Sequence, residues 1–483
     1  MERYTLEQLI SDPVFCHFYR ICQIPHGSGN EQALAESIVR WARSIGLHAG
    51  CDAAGNVFLR KPNPGAARTV LLQAHLDMVC VDSAAYRHDF RHAPIPWVLD
   101  EDRLSTGGRT SLGADNGIGV ALAMSMLALD QPDFPNLEAL FTVNEEKDMG
   151  GAMGFDVSQS AADLLINLDH TNEHEILCGS CGGMRADFRL PVRRDPVPDS
   201  WRCYRISVTG LQGGHSGEDI HRGRGNAIVL LARLLDTIGQ RGSLGVCALH
   251  GGIMRLAIPT EAEAVICFPA ESEEAVLDRV SATAAAMAQE LAISGQKLRI
   301  EAQSCAAQST CVAADRILPA LMLIPDGICQ MNEAMEGMVD TSDNLGVAKL
   351  TDDALELTLE IRSAAESLRF FVYRKLEYLA KLLGGACSFG EEYPGWICDF
   401  DSPLTRLAGE VHRELYGFEP RLLTIHAGLE PGCLKRSRPA LDAIAIGPNL
   451  FDLHTVDESL SIRSVNRFYQ YLQALLIAIS KWR

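Results

Sequence analysis

At 483 residues, with 47% hydrophobic and 22% charged side chains, the chain has the composition of a globular protein too long for one ordinary core, so two domains are expected. A formal charge of −19 argues against a nucleic acid or an anionic membrane surface as partner, because phosphate binding needs clustered Lys and Arg. A small molecule or a short peptide is the expected ligand.

The opening "MERYTLEQLISDPVFCHFYR" is broken by charges and by Pro13, so it reads as no secretory segment, and no apolar run is long enough to span a bilayer. The expected location is cytoplasmic. Fifteen cysteines without regular spacing fit that compartment as buried small hydrophobes. The "CGSC" of Cys178 to Cys181 has the CxxC spacing but no second pair follows it, and ordinary packing is its reading.

In chain order, helices are expected from about Leu6 and over "NEQALAESIVRWARSIG", strands at "NVFLRK" and "TVLLQAH", then the apolar helix "GIGVALAMSMLALD" and strands "LEALFTVNEE" and "DLLINLDH". Alternating strands and helices indicate an α/β sheet covered on both faces, with ligands beyond the carboxyl ends of its strands. From Arg185 the rhythm changes. "WRCYRISVTG", "GNAIVLLARLLDTIG", "LGVCALHGGI", "EAEAVICFP" and "ESEEAVLDRVSATAAAMAQELA" read as β-α-β-β-α. "KLRIEAQS", "RILPALMLIP", "EGMVDTS", "LELTLEIRS" and "SLRFFVYRKLEYLAKLLGG" repeat that order. The expected fold is therefore α/β in two domains. A mixed-sheet catalytic domain over 1–184 and 385–483 is interrupted by an α+β lid over 185–384, built from two β-α-β-β-α halves.

Five strand or loop ends of the α/β layer carry a carboxylate or an imidazole. "AHLDMV" holds His75 and Asp77, which share a face of extended backbone; "SLGADNGIG" places Asp115 before a helix. "NEE" supplies Glu145 and Glu146, whose side chains should diverge, "INLDH" ends in Asp169, and "FDLHTVDE" brings His454 from the far end of the chain. Singly, each suits a cap or a hydrogen-bonded histidine. Together they gather like charges at one edge, which is costly without a cation, and a mixed His and carboxylate set suits zinc, manganese or cobalt better than calcium. HExxH, GxSxG, P-loop and GxGxxG motifs are all missing, so serine-hydrolase, kinase and dehydrogenase readings lack an anchor.

In order and spacing, "AHLDMV", "SLGADNGIG", "NEE", "INLDH", "GGHSG", "YPGW", "HAGLE" and the late "IGP" followed by "H..DE" resemble the dinuclear-metal aminoacylase and carboxypeptidase-G-like metallopeptidases, in particular their aminoacyl-histidine dipeptidase branch. The resemblance implies metal-dependent hydrolysis of short peptides, of Xaa-His type or broader. An N-acyl-amino-acid amidohydrolase or a tripeptidase is the alternative, with a degenerate peptide-binding protein after it. The resemblance also implies two divalent ions, zinc first, manganese or cobalt next. One would be held by His75 and Asp169, the other by Glu146 and His454, with Asp115 bridging. Asp77 would orient His75, and Glu145 would be the general base. His215 in "GGHSG" and Arg362 in "LEIRS" would bind substrate from the lid. A doubled lid would supply within one chain the pairing that simpler relatives reach by dimerising, and a homodimer is compatible with it. Three positions depart from the pattern: Leu256 where relatives carry a substrate-contacting asparagine, Pro431 after "HAGLE", and "HTVDE" for "HSPDE". They bear on substrate preference.

Overall fold

A computed structural model describes residues 4–240, 242–333 and 335–482. The chain forms two compact units: Met1–Ser180 with Trp396–Thr424 and Leu429–Arg483, and Cys181–Gly395 with Ile425–Gly428.

The first unit is built on an eight-stranded sheet in the spatial order His48–Cys51, Val57–Lys61, Asn136–Thr142, Thr69–His75, Leu164–Asn167, Asp442–Ala445, Glu175–Ser180, Arg421–Ile425. The four central strands are parallel, and the outer pairings at Val57–Lys61 are antiparallel, so the sheet is mixed. Thr69–His75 and Asn136–Thr142 are buried at every position but the first, and Leu164–Asn167 throughout, which is the pattern of strands covered on both faces. The helix Ala114–Ala128 is buried nearly all round and joins the strands in one apolar core with Pro13–Cys22 and Ile462–Lys481. Parallel register fixes where the chemistry emerges. His75 lies opposite Thr142 and Gln73 opposite Asn167, so these strands end at the same edge of the sheet.

The second unit carries an antiparallel row of eight strands: Arg299–Ser304, Trp201–Thr209, Ala262–Pro269, Gly245–Gly251, Val339–Leu350, Ala354–Ser363, Gly182–Pro191, Ala386–Tyr393. Here the sequence reading needs correction. "KLRIEAQS" does not open the second half; Arg299–Ser304 pairs with Trp201–Thr209 and closes the first half as its fourth strand. The second half instead begins at Gly182–Pro191 and ends with Ala386–Tyr393, which pairs with it. Each half is thus a β-α-β-β-α-β unit, the first nested inside the second, and the expected boundaries at 184/185 and 384/385 give way to Ser180/Cys181 and Gly395/Trp396. Antiparallel pairing between strands distant in sequence decided this, which element order alone does not reveal. The halves join where His250 and Gly251 pair with Lys349 and Ala348.

Candidate metal centre

Beyond the carboxyl edge of the first unit's sheet, five chain segments bring their polar side chains together. His75 closes its strand almost fully buried. Its Nδ1 lies 3.0 Å from the backbone carbonyl of Asp77, so that nitrogen carries a proton and Nε2 is the one turned to the carboxylates. Nε2 is 3.0 Å from Asp115 Oδ1 and 3.5 Å from Asp169 Oδ1. The second oxygen of Asp115 faces His454, 3.3 Å from its Nε2, and the same nitrogen is 2.8 Å from Glu146 Oε1. Asp115 therefore presents one oxygen to each of two imidazoles, each of which has a further carboxylate beside it. Donor atoms of His75, Asp115 and Glu146 all lie within 4.8 Å of one another.

The backbone explains how these groups are aimed. Gly113 caps the Ala114–Ala128 helix in the left-handed region (φ +69°), and a Cβ there would meet Met78 Sδ at 2.9 Å. The peptide bond between Asp115 and Asn116 is cis. The strand Asn136–Thr142 stops three residues short of Glu145. Asn144 then turns left-handed, and a short helix, Glu145–Asp148, carries the two glutamates in place of the expected strand end. Their side chains do diverge, Glu145 Oε2 lying 3.9 Å from His75 Nε2 and Glu146 beside His454. His454 itself adopts φ +61°, unusual for so bulky a residue.

Asp77 departs from its expected part. Its carboxylate is 3.6 Å from His75 Nδ1, farther than its own carbonyl. That carboxylate instead accepts the backbone N–H groups of Glu145 and Glu146 at 2.9 and 3.1 Å and the Ser28 hydroxyl at 2.8 Å. It fastens the turn that carries both glutamates.

The electrostatics of the cluster follow from its burial and its gathered carboxylates. Burial would lower the His75 pKa, but Asp169, Asp115 and Asp77 outweigh it and hold it well above the ordinary imidazole value. Hydrogen bonds to Asp115 and Glu146 raise His454 to about 11. Burial, reinforced by Asp169, Glu430 and Glu146 and opposed by His75, pushes Glu145 well up. Burial with Asp115 and Glu430 brings Asp169 to about 8. Burial would also raise Asp115, yet the two histidines hold it below the usual carboxylate range. The cluster thus favours positive charge. Divalent cations would meet the same demand, and a donor set of two imidazole nitrogens and several carboxylates fits them.

Several residues that position this centre had no role in the sequence reading. Glu458, buried, accepts the backbone N–H groups of Leu112, Gly113, Ala114 and Asp115 at 2.7, 3.1, 2.8 and 3.3 Å, cupping the loop that delivers Asp115. Burial, then the charge of Asp115, raises its pKa to about 7 against those donors. Beneath the centre, Glu430 accepts from Gln73 and from Thr142 Oγ1, and Asn167 bridges Gln73 to the backbone N–H of Asp169. The motifs "HTVDE" and "HAGLE" contain both glutamates. The available signal for the rest was a glutamine and an asparagine inside strands otherwise reading as core.

In the second unit, Arg362 and Glu360 share a face of Ala354–Ser363 as alternation requires, but both are buried, not solvated. The Arg362 guanidinium donates to Tyr393 Oη at 2.6 Å and to Ser216 Oγ at 3.2 and 3.3 Å, and its Nη2 lies 3.3 Å from His215 Nε2. His215 Nδ1 accepts the backbone N–H of Glu218 at 3.1 Å, which leaves the ring's proton on Nε2. Two donors, Arg362 Nη2 and His215 Nε2, therefore face one another, with Nη2 held also by Ser216 Oγ. Burial and the Arg362 charge lower the His215 pKa to about 4, keeping it neutral. Leu256 adjoins this cluster, its carbonyl accepting the Ser216 N–H at 2.9 Å.

Comparison with known proteins agrees with this fold. Residues 206–294 match the model of a peptidase dimerisation domain, within the first half of the second unit. The chain is 37% identical over 477 residues to the cytosol non-specific dipeptidase of Escherichia coli (strain K12), covering 98% of each. It superposes on the aminoacylhistidine dipeptidase from Vibrio alginolyticus with a TM-score of 0.88 at 34% identity, again over 98% of each chain. At the level of fold alone it resembles an M20 family metallo-carboxypeptidase from Sulfolobus solfataricus, with TM-score 0.57 and 15% identity over 98% of this chain and 100% of that one. The chain belongs to the dinuclear-metal aminoacylase and carboxypeptidase-G-like metallopeptidases, and so is a hydrolase. Within that family it stands on the branch of the aminoacyl-histidine and cytosol non-specific dipeptidases.

Proposed function

We propose that this enzyme hydrolyses unblocked dipeptides, of Xaa-His type or broader, in the cytoplasm. The observation that carries the reading is the placement of Asp115 between His75 and His454, with Asp169 and Glu146 outside them. His75 and Asp169 would hold one divalent cation, Glu146 and His454 a second, and Asp115 would be shared; zinc suits the donors best, manganese or cobalt next. When bound, the cations supply the positive charge that acidifies a water and polarises the scissile carbonyl.

The chain's own residues carry the proton. Glu145 lies beside the donor set with an oxygen uncommitted to a histidine hydrogen bond, and it would accept the water's proton and return it to the leaving amine. A carboxyl pushed upward by burial and by neighbouring carboxylates suits a group that must both take and give a proton. In the second unit, Arg362 would bind the substrate's terminal carboxylate and neutral His215 would donate to substrate oxygen; the two donors, facing one another, support both roles. Leu256 offers no side-chain hydrogen bond where relatives have asparagine, so the preferred dipeptides should differ from theirs. The paired sheet is complete within one chain, so a homodimer is compatible but not required for it. Among the described residues no helix is long and apolar enough to cross a membrane.

The test is an assay of protein loaded with zinc, manganese or cobalt against dipeptides, a tripeptide and N-acetylated amino acids, with and without chelator. Chelator-sensitive cleavage of dipeptides supports the proposal. Turnover confined to acylated amino acids, or to the tripeptide, would replace it with the corresponding activity.

A further inference from the structure

The CxxC spacing of "CGSC" conceals a different pairing. Cys178 and Cys181 diverge: Cys181 lies in the second unit, near Arg362, while Cys178 meets Cys398, 220 residues along the chain, with its Sγ 2.7 Å from that of Cys398. Backbone geometry sets up the encounter. Ser180 and Trp396 exchange both of their hydrogen bonds, N–H to carbonyl at 2.9 Å each way, as a directly opposed antiparallel pair. Cys178 lies two residues before Ser180 on the strand Glu175–Ser180, and Cys398 two residues after Trp396. Gly179 keeps the strands close, since a Cβ there would meet Cys398 Cβ at 3.0 Å and the Trp396 carbonyl at 2.9 Å. Cys178 is buried and Cys398 partly exposed, so a small oxidant has access from the Cys398 side.

We propose that Cys178 and Cys398 form an oxidisable thiol pair, converted by peroxide into a disulfide. One sulfur, as thiolate, attacks hydrogen peroxide, breaking the O–O bond to give a sulfenic acid and, with the thiol's released proton, one water. The second thiol attacks that sulfur, the S–O bond breaks, the S–S bond forms, and hydroxide leaves with the thiol proton as a second water. Two thiols lose two electrons and one peroxide gains them. The position gives the bond a consequence. Cys178 lies two residues before Ser180, where the chain leaves the first unit, and Cys398 two residues after Trp396, where it returns. Oxidation therefore ties the outgoing strand to the returning segment.

The experiment treats the reduced full-length protein with equimolar hydrogen peroxide, alkylates the remaining thiols, and maps disulfides by mass spectrometry of unreduced digests. The expected product is a Cys178–Cys398 linked peptide that reverts with dithiothreitol, forms in the folded protein and not in urea, and disappears in Cys398→Ser, where dimedone traps a sulfenic acid at Cys178. Should that variant fail to fold, the wild-type map decides by itself. Cys178 and Cys398 both remaining alkylatable while exposed Cys51 or Cys329 oxidises, or linkage among Cys203, Cys247, Cys267 and Cys311 in preference, would overturn the proposal.

Discussion

Glu458 accepts the backbone N–H of Asp115 at 3.3 Å as the last of four such donors on one buried carboxylate. A glutamine here keeps the volume but turns an amide NH2 toward some of the same N–H groups, so the loop must shift and Asp115 with it. Glu458→Gln should fold, with unchanged far-UV dichroism, and bind divalent cations about 10- to 100-fold more weakly. Calorimetric titration with zinc or manganese checks it; unchanged affinity would mean that Asp115 is aimed without this cup.

Asp77 acts on the glutamate turn more than on His75. Asp77→Asn should therefore lower turnover more than it lowers metal affinity, because the N–H groups of Glu145 and Glu146 lose an acceptor. Parallel measurement of kcat and metal content tests this. A loss of metal matching the loss of rate would restore the histidine-orienting role expected from sequence.

Arg362→Lys retains the charge but loses the planar fork. For dipeptides with a free C-terminal carboxylate, KM should rise about 10- to 100-fold, in keeping with loss of a charge-assisted hydrogen bond. C-terminally amidated dipeptides should lose little. Equal losses on both substrates would remove Arg362 from carboxylate binding.

His17 offers a pH test away from the metal centre. It is buried in the helix Pro13–Cys22, edge-on to Trp41 at 5.0 Å, and burial, then the Arg20 charge, lowers its pKa to about 4. The folded state disfavours the proton that the unfolded chain accepts near 6.5. Its contribution is therefore complete above that value and is lost as pH falls from about 6.5 to about 4, by up to about 3 kcal/mol. Among the described residues His17 Nδ1 has no hydrogen-bond partner, so His17→Phe should cost little at pH 7 and flatten the acid limb of a Tm against pH curve. An unchanged limb would assign that loss to other groups.

The metal-centre residues were legible because they stand at the ends of buried strands, where polar groups have no packing reason to be, and because their spacing matches a family. His75, Asp115, Glu146, Asp169 and His454 come together as that reasoning expects. The reason for their precision was not legible. Glu458 and Glu430 act through backbone and side-chain partners hundreds of residues away, and Asp77 was assigned to the nearer histidine because local spacing cannot show the Glu145–Glu146 turn folding back onto it. The nested halves were hidden for a related reason: the ladder between Trp201–Thr209 and Arg299–Ser304 is a long-range pairing, while element order registers only succession. The approach of Cys178 to Cys398 was hidden for the same reason, since 220 residues separate them in the chain.

The central claim is that Glu145 moves the proton while its neighbours hold the cations. The most direct measurement is metal content and dipeptide turnover of Glu145→Gln, determined on the same preparation. The account predicts two metal equivalents retained and kcat reduced by about 10³-fold. Near-normal turnover, or a rate lost only in proportion to lost metal, would contradict it.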